Sequence, residues 1–199
     1  MPKAHEPVWS FSSPTPAQIA DFLTRQAGQP FSYREVGATR GHPPEGYNLD
    51  DNTVQLGAGA AAFAQACAAL RAWRMFPAPW TAIHPTGAAI GEGQTVAMVA
   101  QALGGWWLNA CRIVYVLEET APVQRFGFAY GTLPAHVEQG EEFFSIERWA
   151  DDTVWYRVEA FSRPRYWPVR LAKPLARRLQ RKFVRDSKAA MVLAMRTPA

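Results

Sequence analysis

From Trp80 to Pro164 the chain repeats one pattern: a β-prone run, a turn signal, another β-prone run. The runs fall near Trp80–His84, Thr95–Ala102, Trp106–Glu119, Gln124–Thr132, Glu142–Ala150 and Thr153–Ser162. Gly104-Gly105, Ala121-Pro122, the Pro134–Gly140 loop and Asp151-Asp152 separate them. Consecutive strands with short connections predict an antiparallel meander. Thr95–Leu117 is the one stretch long and apolar enough to suggest a membrane span. Its central glycine pair, its β-branched residues, Gln101, Asn109 and Arg112 fit a β-hairpin instead.

After the strands the chain reads PVRLAKPLARRLQRKFVRDSKAAMVLAM. Ala172, Leu175, Leu179, Phe183, Ser187, Ala190 and Ala194 recur at helical spacing, with Lys173, Arg177, Arg181, Arg185 and Lys188 on another face. A twisted sheet with one apolar face must cover it, and this stripe is long enough to do so. The predicted class is α+β: a curved antiparallel sheet of about six or seven strands wrapped round a long C-terminal helix. A half-barrel of this kind tends to leave a cavity under the helix.

Upstream, Thr15 and Pro16 mark a helix start, Ile19, Phe22 and Leu23 its apolar stripe, and Gly28 its end. Phe31–Val36 reads as a short strand, Arg40–Gly46 as a loop and Tyr47–Leu56 as a strand. GAAAFAQACAALRAW is helical by propensity, and Pro77 and Pro79 stop it. We expect one domain overall, with residues 1–46 as an N-terminal helix and extension packing on a core of residues 47–196.

The 199 residues are 48% hydrophobic and only 19% charged, which suits one sizeable core and argues against disorder. Net charge is +4, yet from Arg163 onward eleven Lys or Arg face one acid, Asp186. That basic segment is ordinarily a solvated helix face. Its alternative role is contact with anionic lipid or nucleic acid through Lys173, Arg177, Arg181 and Arg185, with Tyr166 and Trp167 suited to a membrane interface. The first residues, MPKAHEPVW, lack the apolar core of a signal peptide, and Cys67 and Cys111 are too few for a disulfide framework. Both point to a reduced cytoplasm with buried thiols.

Chemistry-bearing motifs are sparse. His5, His42, His84, His136 and the two cysteines show no metal-ligand spacing, so neither a metal nor another cofactor is expected. Gly57-Ala58-Gly59 is a fragment of a phosphate loop without its third glycine, and an ordinary strand-to-helix turn explains it. Arg112 and Glu118 fall on one face of their strand, Arg157 and Glu159 on one face of theirs. Such charges ordinarily face solvent and pair across strands. The sharper alternative makes them a polar anchor in the cavity, with Tyr115, Tyr130 and Tyr156 as cavity hydroxyls. His136, Glu141 and Glu142 flank a turn, where exposed loop residues are the ordinary case and acid–base chemistry the alternative.

The run RFGFAYGTL is the pivot. Phe126, Phe128 and Tyr130 share one strand face; Gly127, Ala129 and Gly131 share the other. If the bare face points inward, it makes room for the helix or a ligand, and something must cover the rings. If the rings point inward, Tyr130 is the best single residue for touching a ligand.

The runs YREVGATR, GYNLDDNTVQLGAGAAAFAQACAALRAWRMFP, WLNACRIVYV, RFGFAYGTLPAHVEQGEE and AFSRPRYWPVRLAKPLARRLQRKF resemble the family called domain of unknown function 1990. They span Tyr33 to about Asp186. The element order also resembles the helix-grip proteins of the birch-allergen and lipid-transfer type. That resemblance implies a cavity for apolar or amphipathic small molecules, and it implies no catalytic residues. The expected activity is binding of such a molecule, with an enzyme in the same cavity as the alternative. The expected lining is Arg112, Tyr115, Phe128, Tyr130, His136, Glu141, Tyr156, Leu179 and Phe183.

Overall fold

The structure is a computed structural model, and it describes residues 6–166 and 171–196. Trp167 lies outside them, as does the side chain of Lys173. In chain order the elements are β1 (Val8–Ser10), α1 (Pro16–Ala27), β2 (Asn48–Ala58), α2 (Gly59–Arg71), β3 (Thr81–His84), β4 (Thr95–Ala102), β5 (Gly105–Glu119), β6 (Gln124–Thr132), β7 (Glu138–Arg148), β8 (Thr153–Pro164) and α3 (Lys173–Ala194).

β3 to β8 form the expected meander, β2 lies beside β8 at the far edge, and β1 adds to β5. The suspected membrane stretch is the β4–β5 hairpin, turned by Leu103 and Gly104, both at positive φ. None of the described helices is long and apolar enough to cross a membrane. This is a helix-grip fold: a curved antiparallel sheet holding a long terminal helix.

Both faces of the sheet are covered. On the concave face, Ala66, Cys67 and Leu70 of α2 and Met191 and Ala194 of α3 pack with Phe126, Phe128, Tyr130, Phe144, Ile146 and Tyr156. On the convex face, Ile19 and Phe22 of α1 pack on Ala97, Val99, Leu108 and Ala110. α1 starts at the predicted place because Thr15 and Gln18 form a reciprocal capping box behind Pro16. Its C-terminal carbonyls are held from the sheet: Arg112 donates to Gln26 O at 3.2 Å and to Ala27 O at 2.6 Å.

Three local expectations change. Phe31–Val36 is no strand. The side chain of Glu141 replaces a ladder there, accepting from Tyr33 Oη (2.7 Å), Gly37 N (2.8 Å), Thr39 N (3.1 Å) and the Thr39 hydroxyl. A carboxylate that binds scattered backbone donors fixes a loop, since a strand would turn successive N–H groups to opposite sides. β7 begins at Glu138, earlier than expected, so most of the presumed Pro134–Gly140 loop's end is sheet. Finally, β5 carries a bulge between Ile113 and Tyr115. The extra residue flips the alternation, so Arg112 and Glu118 lie on opposite faces. Glu118 pairs with Arg71 at the rim, while Arg112 faces α1.

Candidate ligand-binding site

The parity of β6 is settled by its partners. Phe126, Phe128 and Tyr130 belong to the concave core. Gly127, Ala129 and Gly131 face the convex side, so they do not clear the cavity. A Cβ on Gly131 would meet the Tyr33 hydroxyl, with the ring carbon Cζ 2.8 Å away. That glycine makes room for a phenol, not for a ligand.

The room inside comes from elsewhere. On each strand, alternate residues share the concave face. Ala100 and Ala102 of β4, Gly140 of β7 and Ala160 of β8 line a cavity of about 400 Å³. Gly140 has φ +147°, and a Cβ there would run into the carbonyl of Phe161, so only glycine suits it. α2 with Trp73, Met75 and Phe76 fills one end of the half-barrel. The other end is roofed by Leu175, Ala176, Leu179, Phe183 and Val184 of α3 and stays open. Trp80, Met98 and Trp107 complete the apolar wall.

The polar groups in this cavity come mainly from one strand. Glu138, Gly140 and Glu142 alternate on the concave face of β7, in register with Phe144 and Ile146. Glu142 stands directly across from Tyr130, whose hydroxyl donates to Glu142 Oε2 at 2.8 Å. Burial raises the Glu142 pKa to about 7 despite that hydrogen bond, and the nearby Asp50 carboxylate adds to the rise. Glu138 is only 9% exposed. Its Oε2 has no hydrogen-bond partner among the described residues. Burial raises its pKa to about 7 as well, with Arg177 opposing. A second orphan, the buried indole Nε1 of Trp80, belongs to a residue of the same wall.

His136 lines the cavity and is buried, not an exposed loop residue. Its Nδ1 lies 2.9 Å from Glu138 N and 3.1 Å from Glu138 O. Burial pushes its pKa down to about 4, with a smaller push from Arg165. Near neutral pH it is an uncharged imidazole. Asp50 and Arg177 pair across the rim, at 2.6 and 2.9 Å. Arg177 also donates to Gln180 at 2.8 Å.

Four expected residues therefore line the cavity with their side-chain faces: Tyr130, His136, Leu179 and Phe183. Glu141 borders it only through its strand, because its carboxylate binds Tyr33, Gly37 and Thr39 on the convex side. Arg112 and Tyr115 are corrected outright. Both face away from the cavity, Arg112 onto α1 and Tyr115 against Phe143 and Thr39. Phe128 and Tyr156 face inward but pack in the filled end, where the Tyr156 hydroxyl meets Ser187 Oγ of α3 at 2.8 Å. Arg157 and Glu159 lie on the convex face and pair with each other and with Asp51, the ordinary arrangement. Sequence reading passed over Glu138. The alternation of Glu138, Gly140 and Glu142 would have revealed it had this stretch been read as strand.

Of the basic face, Arg177 is committed to Asp50, and Arg185 pairs with Asp186. No group of three or more His, Cys, Asp or Glu gathers as a metal site among the described residues.

Sheet, roofing helix and partly polar pocket together define a helix-grip protein with an internal cavity. The chain belongs to the family described as a domain of unknown function (DUF1990), which matches residues 32–190. It is 36% identical over 194 residues to a UPF0548 protein of Deinococcus radiodurans, covering 91% of this chain and 96% of that one. It is 31% identical over 209 residues to a UPF0548 protein of Dictyostelium discoideum, covering 94% and 96%. A crystal structure of the hypothetical protein jhp0584 from Helicobacter pylori shares the fold, with a TM-score of 0.52 at 14% identity over 79% of this chain and 90% of that one.

Proposed function

We propose that the protein binds a small apolar or amphipathic molecule in the cavity beneath α3. The observation that carries this reading is the cavity of about 400 Å³. Its size falls in the range of small-molecule sites. Protein interiors pack with few voids larger than a water molecule. Small residues on two separate strands, Ala100 and Ala102 of β4 and Ala160 of β8, clear this one, so it is no packing fault. The test is titration calorimetry with decanol. Wild-type protein takes up decanol, and Ala160→Leu, which fills the floor, loses that uptake by about tenfold or more. Equal binding by both would sink the reading.

A second reading adds turnover at the same site. It is supported by Glu138, a buried acid that titrates near neutrality beside a neutral His136. Groups so poised suit general acid–base chemistry. Mass spectrometry of a co-purifying molecule, before and after incubation with wild type or Glu138→Gln, discriminates. A mass change that needs Glu138 supports turnover, and an unchanged mass opposes it.

A further inference from the structure

The charge lining the cavity is one-sided. Asp50, Glu138 and Glu142 line it, and no lysine or arginine does among the described residues. Arg177, which acts on Glu138, is held by Asp50 in a two-point pair and by Gln180, and Lys182 lies over the Trp80 ring and pairs with Asp186. His136 is uncharged near neutral pH. That leaves Glu138 and Glu142 as two inward carboxyls with no ion pair of their own among the described residues, on the concave face of one strand with Gly140 between them. One oxygen of Glu138 is orphaned, and Glu142 has its only hydrogen-bond donor among the described residues in Tyr130.

Each class of occupant meets this pair differently. A carboxylate or phosphate head would be repelled by the ionised acids and would hold them in their protonated form. A hydrocarbon would leave the orphaned oxygen unsatisfied, at a desolvation cost, and an alcohol would offer it one neutral O–H donor, weaker than a charged one. A protonated amine satisfies the open oxygen of Glu138 with a charge-assisted N–H donor while its tail lies along Met98, Leu179 and Phe183.

We propose that the cavity selects cationic amphiphiles: an ammonium head on the acidic wall that Glu138 and Glu142 form, donating to the open oxygen of Glu138, with an apolar tail under α3. This rests on the cavity-binding reading above. Burial alone favours the protonated acids, so seating an ammonium ion ionises them and releases protons to solvent. The selectivity lies in the head, because the side chains offered to the tail, Met98, Leu179 and Phe183, are apolar.

Calorimetry with decylamine, decanol and decanoate tests it, since the three share a tail and differ in the head. Decylamine binds wild type about tenfold tighter than decanol, decanoate binds weakest, and proton release makes the decylamine enthalpy depend on the buffer. Glu138→Gln lowers decylamine affinity about tenfold and decanol affinity far less, and circular dichroism reports that the variant is folded. Glu142→Gln is the second variant, and it keeps an acceptor for Tyr130. Decanol binding without preference for the amine overturns the proposal and leaves the cavity reading standing, as does decanoate equal to decylamine. An amine preference intact in both variants overturns it too. If none of the three binds, both readings fall.

Discussion

Tyr130 and Glu142 face each other across the β6–β7 pair, and the phenol donates to the carboxylate at 2.8 Å inside the sheet's concave face. The contact joins an aromatic core to the acidic side of a cavity. It also decides the chemistry of the acid, because the phenol holds one oxygen of a carboxyl that burial would otherwise leave unsatisfied. Most of what can be tested about this molecule follows from which groups share that concave face.

Stability should fall as pH rises through neutrality. Glu138 and Glu142 each go from an ordinary 4.5 to about 7 in the folded state. A raised carboxyl binds its proton more tightly when folded, so its stabilising share is complete below pH 4.5 and lost by about pH 7. His136 works the other way: lowered from 6.5 to about 4, it makes stability rise with pH across that window. One histidine therefore offsets one acid up to about pH 6.5, and above that only the acids act. Urea denaturation across pH should show a net loss of order 3 kcal/mol, and the Glu138→Gln, Glu142→Gln double variant, left with His136, should reverse it and gain stability between about pH 4 and 6.5. A pH-independent wild type would contradict it.

Gly131→Ala should destabilise the protein by about 1–3 kcal/mol through forced displacement of Tyr33. Moving that ring also breaks the Tyr33–Glu141 hydrogen bond and loosens residues 33–40. The cost should be smaller in a Tyr33→Phe background, where the obstructing hydroxyl is already gone. Chemical denaturation of the four proteins of the cycle measures this. Strict additivity would show that the two residues do not meet.

Arg112→Ala should loosen α1 without touching the cavity. The guanidinium is the clamp on the last carbonyls of that helix, an arrangement favoured by the helix dipole and worth about 1–2 kcal/mol. Hydrogen exchange in Pro16–Ala27 should accelerate while decanol affinity stays at the wild-type value. A loss of decanol binding with α1 protection unchanged would return Arg112 to the cavity.

Tyr156 and Ser187 tie β8 to α3 with a buried hydroxyl pair at 2.8 Å. Either Tyr156→Phe or Ser187→Ala alone strands its partner and should cost about 1–2 kcal/mol. The double variant should cost less than the sum, since no unsatisfied hydroxyl is left. Thermal unfolding of the set reads the coupling, and a sum of independent costs would mean the contact is not made.

Much of this was legible along the chain, and the residues show why. Thr15, Gln18 and Pro16 define the start of α1 by contacts within four residues. Leu103-Gly104 turns its hairpin by its own backbone geometry. The apolar stripe of α3 is a property of spacing alone. What failed were judgements about side. A bulge at Val114 put Arg112 and Tyr115 on the convex face. Phe31–Val36 became a loop because a carboxylate from a strand over a hundred residues away captured it. His136 and Glu138 sat in what reads as a polar turn, yet the sheet continues beneath α3 and buries them.

The sequence by itself determined the order of strands, the meander, the long roofing helix and the family, since each rests on spacing or neighbouring residues. The tertiary structure alone decided that Phe128 and Tyr130 face inward, that Gly131 serves a tyrosine, and that Ala100 and Ala160 clear the cavity. It alone brought Glu138, Glu142 and Tyr130 to one wall. A strand gives every residue two possible sides, and only its pairing with distant strands, bulge included, selects between them.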